Sequence, residues 1–309
     1  MGKFTDSIKS SAYDTLQPMD VIKNKKELAV TPGRTDALTI IEAGYAAINT
    51  ETILKNKLAF KDGDLYIGDN KHVCVHYERI FFIGIGKCAL EGAAVIEDIL
   101  GENLTEGIVL DVQSGVLQRI QSFTGTHPYP SEANVSATKK IRQMIAGATE
   151  KDLVLVLISG GGSALLCDPY KLSSQTLVDI TKELTKHGAD IYELNTVRKH
   201  LSDIQGGQLA ALAYPAQTIS LIFSDVLGDD ISMIASGPTV LDTTTVQDAK
   251  DVLTKYALTN YSHLEWKETP KDRALFNHVI NFLIATNKDA LDAMQLKSEE
   301  LGYTTEIYS

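Results

Sequence analysis

The stretch Asp152–Leu166, "DLVLVLISGGGSALL", decides how the rest of the chain is read. Its first half is an unbroken apolar run, the pattern of a β-strand buried on both faces of a sheet. Its second half sets Gly160, Gly161 and Gly162 between Ser159 and Ser163. Glycines reach backbone angles closed to other residues, so such a loop can aim successive N–H groups at one point and form an anion nest, with the serines adding hydroxyls. Its place at the C-terminal end of a parallel strand is where open α/β sheets bind ligands. A glycine-rich turn without a ligand is the plain alternative. No G-K-[ST] follows, so this is not a Walker A loop.

Working outward, "RIFFIG", "KCALEGAAVIEDIL" and "GIVLD" read as strand, helix and strand. The alternation continues through a helix in "SEANVSATKKIRQMIAG", a mostly helical segment from about 173 to 204, and a strand in "AQTISLIFSD". The expected fold class is therefore α/β: a Rossmann-like, mostly parallel sheet with helices on both faces. Upstream, residues from about 36 to 57 have helical period, and "FKDGDLYIGDNKHVCVHY" alternates around two turn signals as one or two hairpins. Past Asp242 the texture changes to a capped helix, a polar connection, and then a fresh strand, helix and strand ending at Ser309. The expected division is an α/β domain over 1–242, with 243–309 as connecting helices and the beginning of a second α/β domain.

The chain has 309 residues, 44% hydrophobic and 22% charged, the composition of a globular protein. Lys plus Arg number 29 against 40 for Asp plus Glu, a net charge of −11 that disfavours nucleic acid or an anionic membrane as partner. Any anionic ligand must then be met by a local basic cluster. Cys74, Cys88 and Cys167 are widely spaced with no C-x-x-C pair, so neither a disulfide framework nor a zinc site is indicated. The N-terminus "MGKFTDSIKS" has no apolar core of the signal-peptide kind, and no run approaches the roughly 20 apolar residues of a membrane span. A cytoplasmic location is expected.

"FFIGIGKCA" spells G-x-G-x-x-A through Gly84, Gly86 and Ala89, and Asp111 closes the next strand, which is the spacing of a dinucleotide fingerprint. Lys87, however, sits where the turn meets the helix N-terminus, against the helix dipole unless an anion lies between them. In "NTVRKHLSDIQGGQLA", helical spacing brings Asn195, Arg198 and Ser202 to one face, with Lys199 and His200 adding positive charge. Arginine binds carboxylate and phosphate in bidentate fashion, so this cluster is a candidate anion site. "SDVLGDDISMIASGPT" puts Asp225 at a strand end, where a carboxylate can hold Mg²⁺ or take a proton, while Asp229 and Asp230 suit a helix cap. "THPYPSEAN" offers His127 in a fixed loop, with Ser131 as the N-cap of the next helix.

Taken in this order, "GIGKCA", "SGGGSALL", "NTVRKHLSDIQGGQLA" and "SDVLGDDISMIASGPT" resemble the glycerate 2-kinase family, the group whose N-terminal domain also occurs in proteins once labelled hydroxypyruvate reductase. The resemblance runs from about Ala37 to the end and would make 1–242 that N-terminal domain. It implies a kinase: ATP-dependent phosphorylation of D-glycerate to 2-phosphoglycerate, with ATP and Mg²⁺ as cofactors, and with glycerate and nucleotide as partners. A homodimer is left open. Carried over by position, it implies Lys87, Arg198 and Asp225 as catalytic residues. It implies Ser159, Gly160, Gly161, Gly162, Ser163, Asn195 and His127 as substrate- or phosphate-binding residues, and Asp225 and Asp229 as metal ligands.

The chain departs from the family pattern at Ser131, where an acid is usual, and at Gln205 and Gln208, where Lys and Arg are usual. Family members also carry a C-terminal domain that lends an arginine to the cleft, and the expectation is that this chain ends before it. Two other functions compete: an NAD(P)-dependent hydroxypyruvate reductase, on the strength of Gly84, Gly86, Ala89 and Asp111, and a non-catalytic anion-binding fragment.

Overall fold

A computed structural model describes residues 21–73, 77–261 and 263–308; Cys74 and the N-terminal "MGKFTDSIKS" lie outside them. The described chain forms two compact units. The larger runs from Leu58 to Ile284, and the smaller joins the described residues up to Lys57 with those from Ala285 onward.

The larger unit opens with a three-stranded antiparallel sheet of β1 (Leu58–Lys61), β2 (Asp64–Ile67) and β3 (Asn70–Val73). Asp62-Gly63 and Gly68-Asp69 make its turns, as the turn signals predict. The main sheet contains β4 (Arg79–Ile85), β5 (Glu106–Asp111), β6 (Ile120–Thr124), β7 (Asp152–Ile158), β8 (Gln217–Phe223) and β9 (Val279–Ala285), in the spatial order β6-β5-β4-β7-β8-β9. The pairs from β6 across to β8 are parallel. β6 has no counterpart in the sequence reading: "IQSFT" is short and half-exposed, and its apolar signal is too sparse to stand out.

Helices occupy both faces, as strand alternation requires. Phe81, Ile83 and Ile85 of β4 and Val154, Val156 and Ile158 of β7 share one apolar cluster with Ile141 and Ile145 of the helix Glu132–Ile145 and Leu209 and Ala213 of the helix Gln208–Ala213. On the opposite side Gly84 lies against Ala89, the first residue of the helix Ala89–Leu100. Every residue of β7 is buried, which is why its sequence shows no polar alternation. Register is pinned at the sheet's lower edge, where Arg79 donates from Nε to Asp152 Oδ1 at 2.8 Å and from Nη2 to Oδ2 at 2.6 Å.

In chain order the helices are α1 (Lys25–Leu28), α2 (Pro32–Ala47), α3 (Thr50–Lys57), α4 (Ala89–Leu100), α5 (Glu132–Ile145), α6 (Gly162–Leu165), α7 (Ser174–Lys186), α8 (Ile191–His200), α9 (Gln208–Ala213), α10 (Val246–Lys255) and α11 (Asn287–Glu300). The helical period over 36–57 resolves into α2 and α3, broken at Ile48-Asn49, where Asn49 Oδ1 accepts from Thr52 N–H. In the smaller unit α2 packs on α11 with Gly44 against Met294, and Tyr303 donates to Asp36 at 2.7 Å. The closing strand expected after α11 does not form among the described residues. The expected domain boundary at 242 falls inside the larger unit, because β9 takes the sheet edge beside β8.

Helix α8 is held by buried charge. Lys199 and Asp242, each with its side chain 2% exposed, pair at 3.2 Å, and His200 Nε2 lies 3.0 Å from Glu268 Oε1. Burial works against the Asp242 carboxylate, but Lys199 and the hydroxyls of Thr244 and Thr269 outweigh it and hold its pKa below the ordinary carboxylate range. Asp152 is held low as well, chiefly by its hydrogen bonds from Arg79. Two expectations follow for urea denaturation. Lys199→Met should cost about 3–5 kcal/mol, because it leaves Asp242 buried and unpaired. In the unaltered chain, carboxyls with depressed folded-state pKa values stabilise above the unfolded value of about 3.9, so stability should fall as pH drops below it. An unchanged midpoint for Lys199→Met would refute the buried-pair account.

Candidate functional site

Strand order reverses between β4 and β7: from β4 the chain proceeds outward through β5 and β6, then returns to β7 and proceeds the other way through β8. The crevice at the C-terminal ends of these two strands is the switch point, where open α/β sheets bind ligands. The G-x-G turn after β4 and the triple-glycine loop after β7 meet there. Gly86 has φ +120°, and a Cβ on it would stand 2.7 Å from the Ser159 carbonyl oxygen. Lys87 N–H donates to Gly160 O at 3.0 Å, and Ser159 N–H to Ile85 O at 2.9 Å. Ser159 is buried, its hydroxyl held between Cys88 N–H and Ile85 O.

The remaining glycines make room for charged side chains. A Cβ on Gly160 would collide with the Asp225 carboxylate, 2.8 Å from its Cγ. One on Gly161, at φ +84°, would stand 2.8 Å from Lys87 Cε and 3.1 Å from His127 Cδ2. Gly162 opens α6 against the Ala235 side chain. Lys87, His127 and Asp225 thus line one loop from three elements, all exposed. Among the described residues none of these three side chains has a hydrogen-bond or ion-pair partner, and neither the Gly160 nor the Gly161 N–H is bonded. Desolvation lowers the His127 pKa, Lys87 adds to the effect and Asp225 opposes it, so the imidazole is neutral at pH 7.

His127 is placed by a residue that sequence reading missed. Asn134, fully buried at the third position of α5, accepts from Thr126 N–H at 2.9 Å and donates to Thr126 O and Ala164 O, each at 3.0 Å. It also accepts from Ser131 N–H and Oγ, which makes Ser131 the N-cap as expected. The available signal was an asparagine three residues past a serine cap, where a glutamate or glutamine is the common partner.

Arg198 lies on α8, half-buried, near Tyr129 of the His127 loop and near Cys167. Desolvation pulls its pKa down, and no carboxylate pairs with it among the described residues. A guanidinium held so is short of an anion. Burial pushes the Cys167 thiol up to about 12, so it is an inert core residue. Asn195, one turn before Arg198, is fully buried and engages Ser236 and Met233. The expected single basic face is corrected in three places. Lys199 and His200 turn to Asp242 and Glu268. Ser202 lies past the helix end, where its hydroxyl caps Ile204 and Gln205 N–H.

Gln205 is buried and donates from Nε2 to Ser163 O and Leu166 O, both at 2.9 Å, while Gln208 donates to Ser202 O. Gln205 thus braces the segment that follows the glycines, and Gln208 holds the turn after α8. Asp229 is half-buried with no side-chain partner among the described residues, and Asp230 accepts from Ser232 N–H as a turn residue. No group of three metal-ligating side chains occurs among the described residues. The dinucleotide acid is otherwise engaged: Asp111 is 2% exposed, and its Oδ2 accepts from Leu90 N–H at 2.9 Å, capping α4. A buried capping carboxylate cannot also hold a ribose.

Residues 36–266 match the family described as "Domain of unknown function (DUF4147)". The chain is 38% identical over 300 residues to glycerate kinase of Homo sapiens, covering 88% of this chain and 57% of the human protein. It is 33% identical over 276 residues to glycerate 2-kinase of Picrophilus torridus, covering 88% and 64%. Among solved structures, a protein of Pyrococcus horikoshii OT3 superposes with a TM-score of 0.75 at 32% identity, covering 89% of this chain and 65% of that one. Glycerate kinase of Thermotoga maritima gives 0.71 at 30% identity, covering 88% and 63%. The chain therefore belongs to the DUF4147 family and is a member of the glycerate kinase family. It spans less than two thirds of the length of these relatives. No described helix is long and apolar enough to cross a membrane.

The two glycine turns should respond differently to alanine. Gly86→Ala meets backbone at a left-handed φ, and should cost on the order of 2–4 kcal/mol through strain and overpacking. Gly160→Ala meets only the movable end of Asp225, and should stay within about 1 kcal/mol of the parent. Urea midpoints of the two variants decide it; equal losses would contradict the packing described.

Proposed function

We propose that this chain serves ATP-dependent transfer of the γ-phosphoryl group to the 2-hydroxyl of D-glycerate, giving 2-phosphoglycerate and ADP. One observation carries the reading. Lys87, a cation without a protein partner, crosses a glycine loop with free N–H groups at the switch point of the sheet, and a second unpaired cation, Arg198, lies near Tyr129 of the adjoining His127 loop. The named activities of the relatives in the glycerate kinase family point the same way.

In this reading Arg198 binds the glycerate carboxylate in bidentate fashion, and Lys87 with the Gly160 and Gly161 N–H groups holds phosphoryl oxygens. The bond from the 2-oxygen to the γ-phosphorus forms as the bond to the β-bridging oxygen breaks, ADP carries away the electron pair, and the hydroxyl proton passes to Asp225. His127, neutral, accepts a hydrogen bond and does not compete with Lys87 for anions. Mg²⁺ is commonly held by one or two carboxylates plus phosphate oxygens and water, so the free Asp225 carboxylate fits it, with Asp229 as the second candidate. When bound it would neutralise charge on the phosphates. The work of the chain itself is positioning and charge stabilisation.

The test is ADP release from ATP and D-glycerate, with NADH and hydroxypyruvate as the control pair. Lys87→Ala should cut kcat by about a hundredfold or more, the scale of losing one oxyanion-hole donor. Arg198→Ala should act mainly on KM for glycerate. Near-normal turnover for Lys87→Ala, or NADH loss without ADP, would overturn the proposal. Because the His127 pKa is lowered, the acid limb of kcat/KM that it controls should lie below about 6.5 and vanish in His127→Gln.

A further inference from the structure

The glycine loop leads into a helix too short to hold itself. α6 is a single turn, Gly162–Leu165, and a first turn is unfavourable on its own because it fixes several residues for one hydrogen bond. The Gly161 and Gly162 carbonyls accept from Leu165 and Leu166 N–H. The next carbonyls, from Ser163 to Leu166, are those that a helix C-terminus leaves without an intrahelical donor. Cys167 N–H does not return to them, because it donates to Thr138 Oγ1 at 3.1 Å. Two amides from distant parts of the chain take all of them. Asn134 Nδ2 donates to Ala164 O at 3.0 Å and to Leu165 O at 3.4 Å. Gln205 Nε2 donates to Ser163 O and Leu166 O, both at 2.9 Å.

The surroundings fix which way each amide faces. Asn134 Oδ1 accepts from Thr126 and Ser131 N–H, groups that can only donate, so its nitrogen must turn to the carbonyls. Reversing Gln205 would set its oxygen against two carbonyl oxygens. Gln205 keeps this orientation although its Oε1 is then buried without a partner among the described residues, which costs stability. Asn134 is wholly buried and Gln205 is 2% exposed, so neither side chain is open to a ligand itself.

We propose that Asn134 and Gln205 are positioning residues for the anion cradle: by gripping the carbonyls of α6 they hold the Gly160 and Gly161 N–H groups, which lead into the same turn, in the geometry that takes phosphoryl oxygens. The role of the cradle rests on the kinase reading. Asn134 Nδ2 also donates to Thr126 O at 3.0 Å, so the cradle and the His127 loop share one support.

Calorimetry with inorganic phosphate tests the grip, on chains whose folding is checked by their urea midpoints. Asn134→Asp keeps the acceptor contacts to Thr126 and Ser131 N–H and loses the donors to the carbonyls. Gln205→Met removes only donors, since the Gln205 oxygen is not in use, and it decides the matter if Asn134→Asp does not fold. Each variant should bind phosphate about tenfold or more weakly than the parent, the worth of one hydrogen bond to a charged group. Arg79→Met, which breaks the pair with Asp152 at the opposite end of β4 and β7, controls for loss of stability alone and should leave phosphate affinity unchanged. Lowered urea midpoints with parental phosphate affinity in the amide variants, or an equal fall in all three variants, overturns the proposal. In ADP release, kcat should fall in both amide variants while KM for D-glycerate, assigned to Arg198, stays at the parental value. A rise in that KM with unchanged kcat overturns the proposal as well. If the parent binds phosphate but releases no ADP, the kinase reading fails and the phosphate series alone decides the positioning role. If the parent binds no phosphate, the cradle reading fails and the proposal fails with it.

Discussion

The close approach of two turns, one after β4 and one after β7, is the constraint on which the site depends. Neighbouring parallel strands lie about 4.8 Å apart, so loops leaving their ends must share very little space. Gly86 yields that space to Ser159, and the backbone bonds from Lys87 to Gly160 and from Ser159 to Ile85 lock the turns together. Once they are locked, Lys87 has nowhere to run except across Gly161, where it meets His127. The glycines thus have different physical duties within one short motif: Gly86 admits backbone, while Gly160 and Gly161 admit side chains.

Around this junction the protein is built in shells of decreasing polarity. Free charges face the cleft, a row of amides and hydroxyls stands behind them, and the apolar sheet lies beneath. Asn134, Asn195, Gln205 and Gln208 make up much of the middle row, and all four are buried with their donors on carbonyls. An amide can satisfy donor and acceptor at once without the desolvation cost of a charge, which suits it to fix loops of irregular backbone. At positions 205 and 208, where the family pattern has Lys and Arg, the buried glutamines use their donors on the carbonyls of Ser163, Leu166 and Ser202, while Gln205 Oε1 is buried without a partner among the described residues.

The same economy explains the cations of α8. Lys199 and His200 follow Arg198 directly in sequence, yet they point to Asp242 and Glu268, away from the His127 loop. Successive residues on a helix are about 100° apart, so three adjacent basic residues cannot serve one ligand. Two of them anchor the helix, and the one between Asn195 and the helix end is left without a counter-charge. The unpaired Arg198 is meaningful because its neighbours are paired.

Much of this was legible in the chain alone. The apolar runs of β4, β7 and β8 and the periodicity of α4, α5 and α10 specify a parallel α/β sheet, since burial on both faces leaves its mark on every residue of a strand. The glycine loops, Lys87, Arg198 and Asp225 could be named as candidates because their residue types are costly or unusual where they stand. The half-exposed β6 and the docking of β9 on the sheet edge leave weaker marks, because edge strands share their residues with solvent. What only the tertiary structure decided is which partners each polar group finds. Asp111 caps a helix instead of waiting for a ribose, Asn134 sets the His127 loop, and Ser236 bonds both Asn195 and Ser163. The choice of hydrogen-bond partner depends on atoms brought together from distant parts of the chain, and no local pattern of residues encodes it.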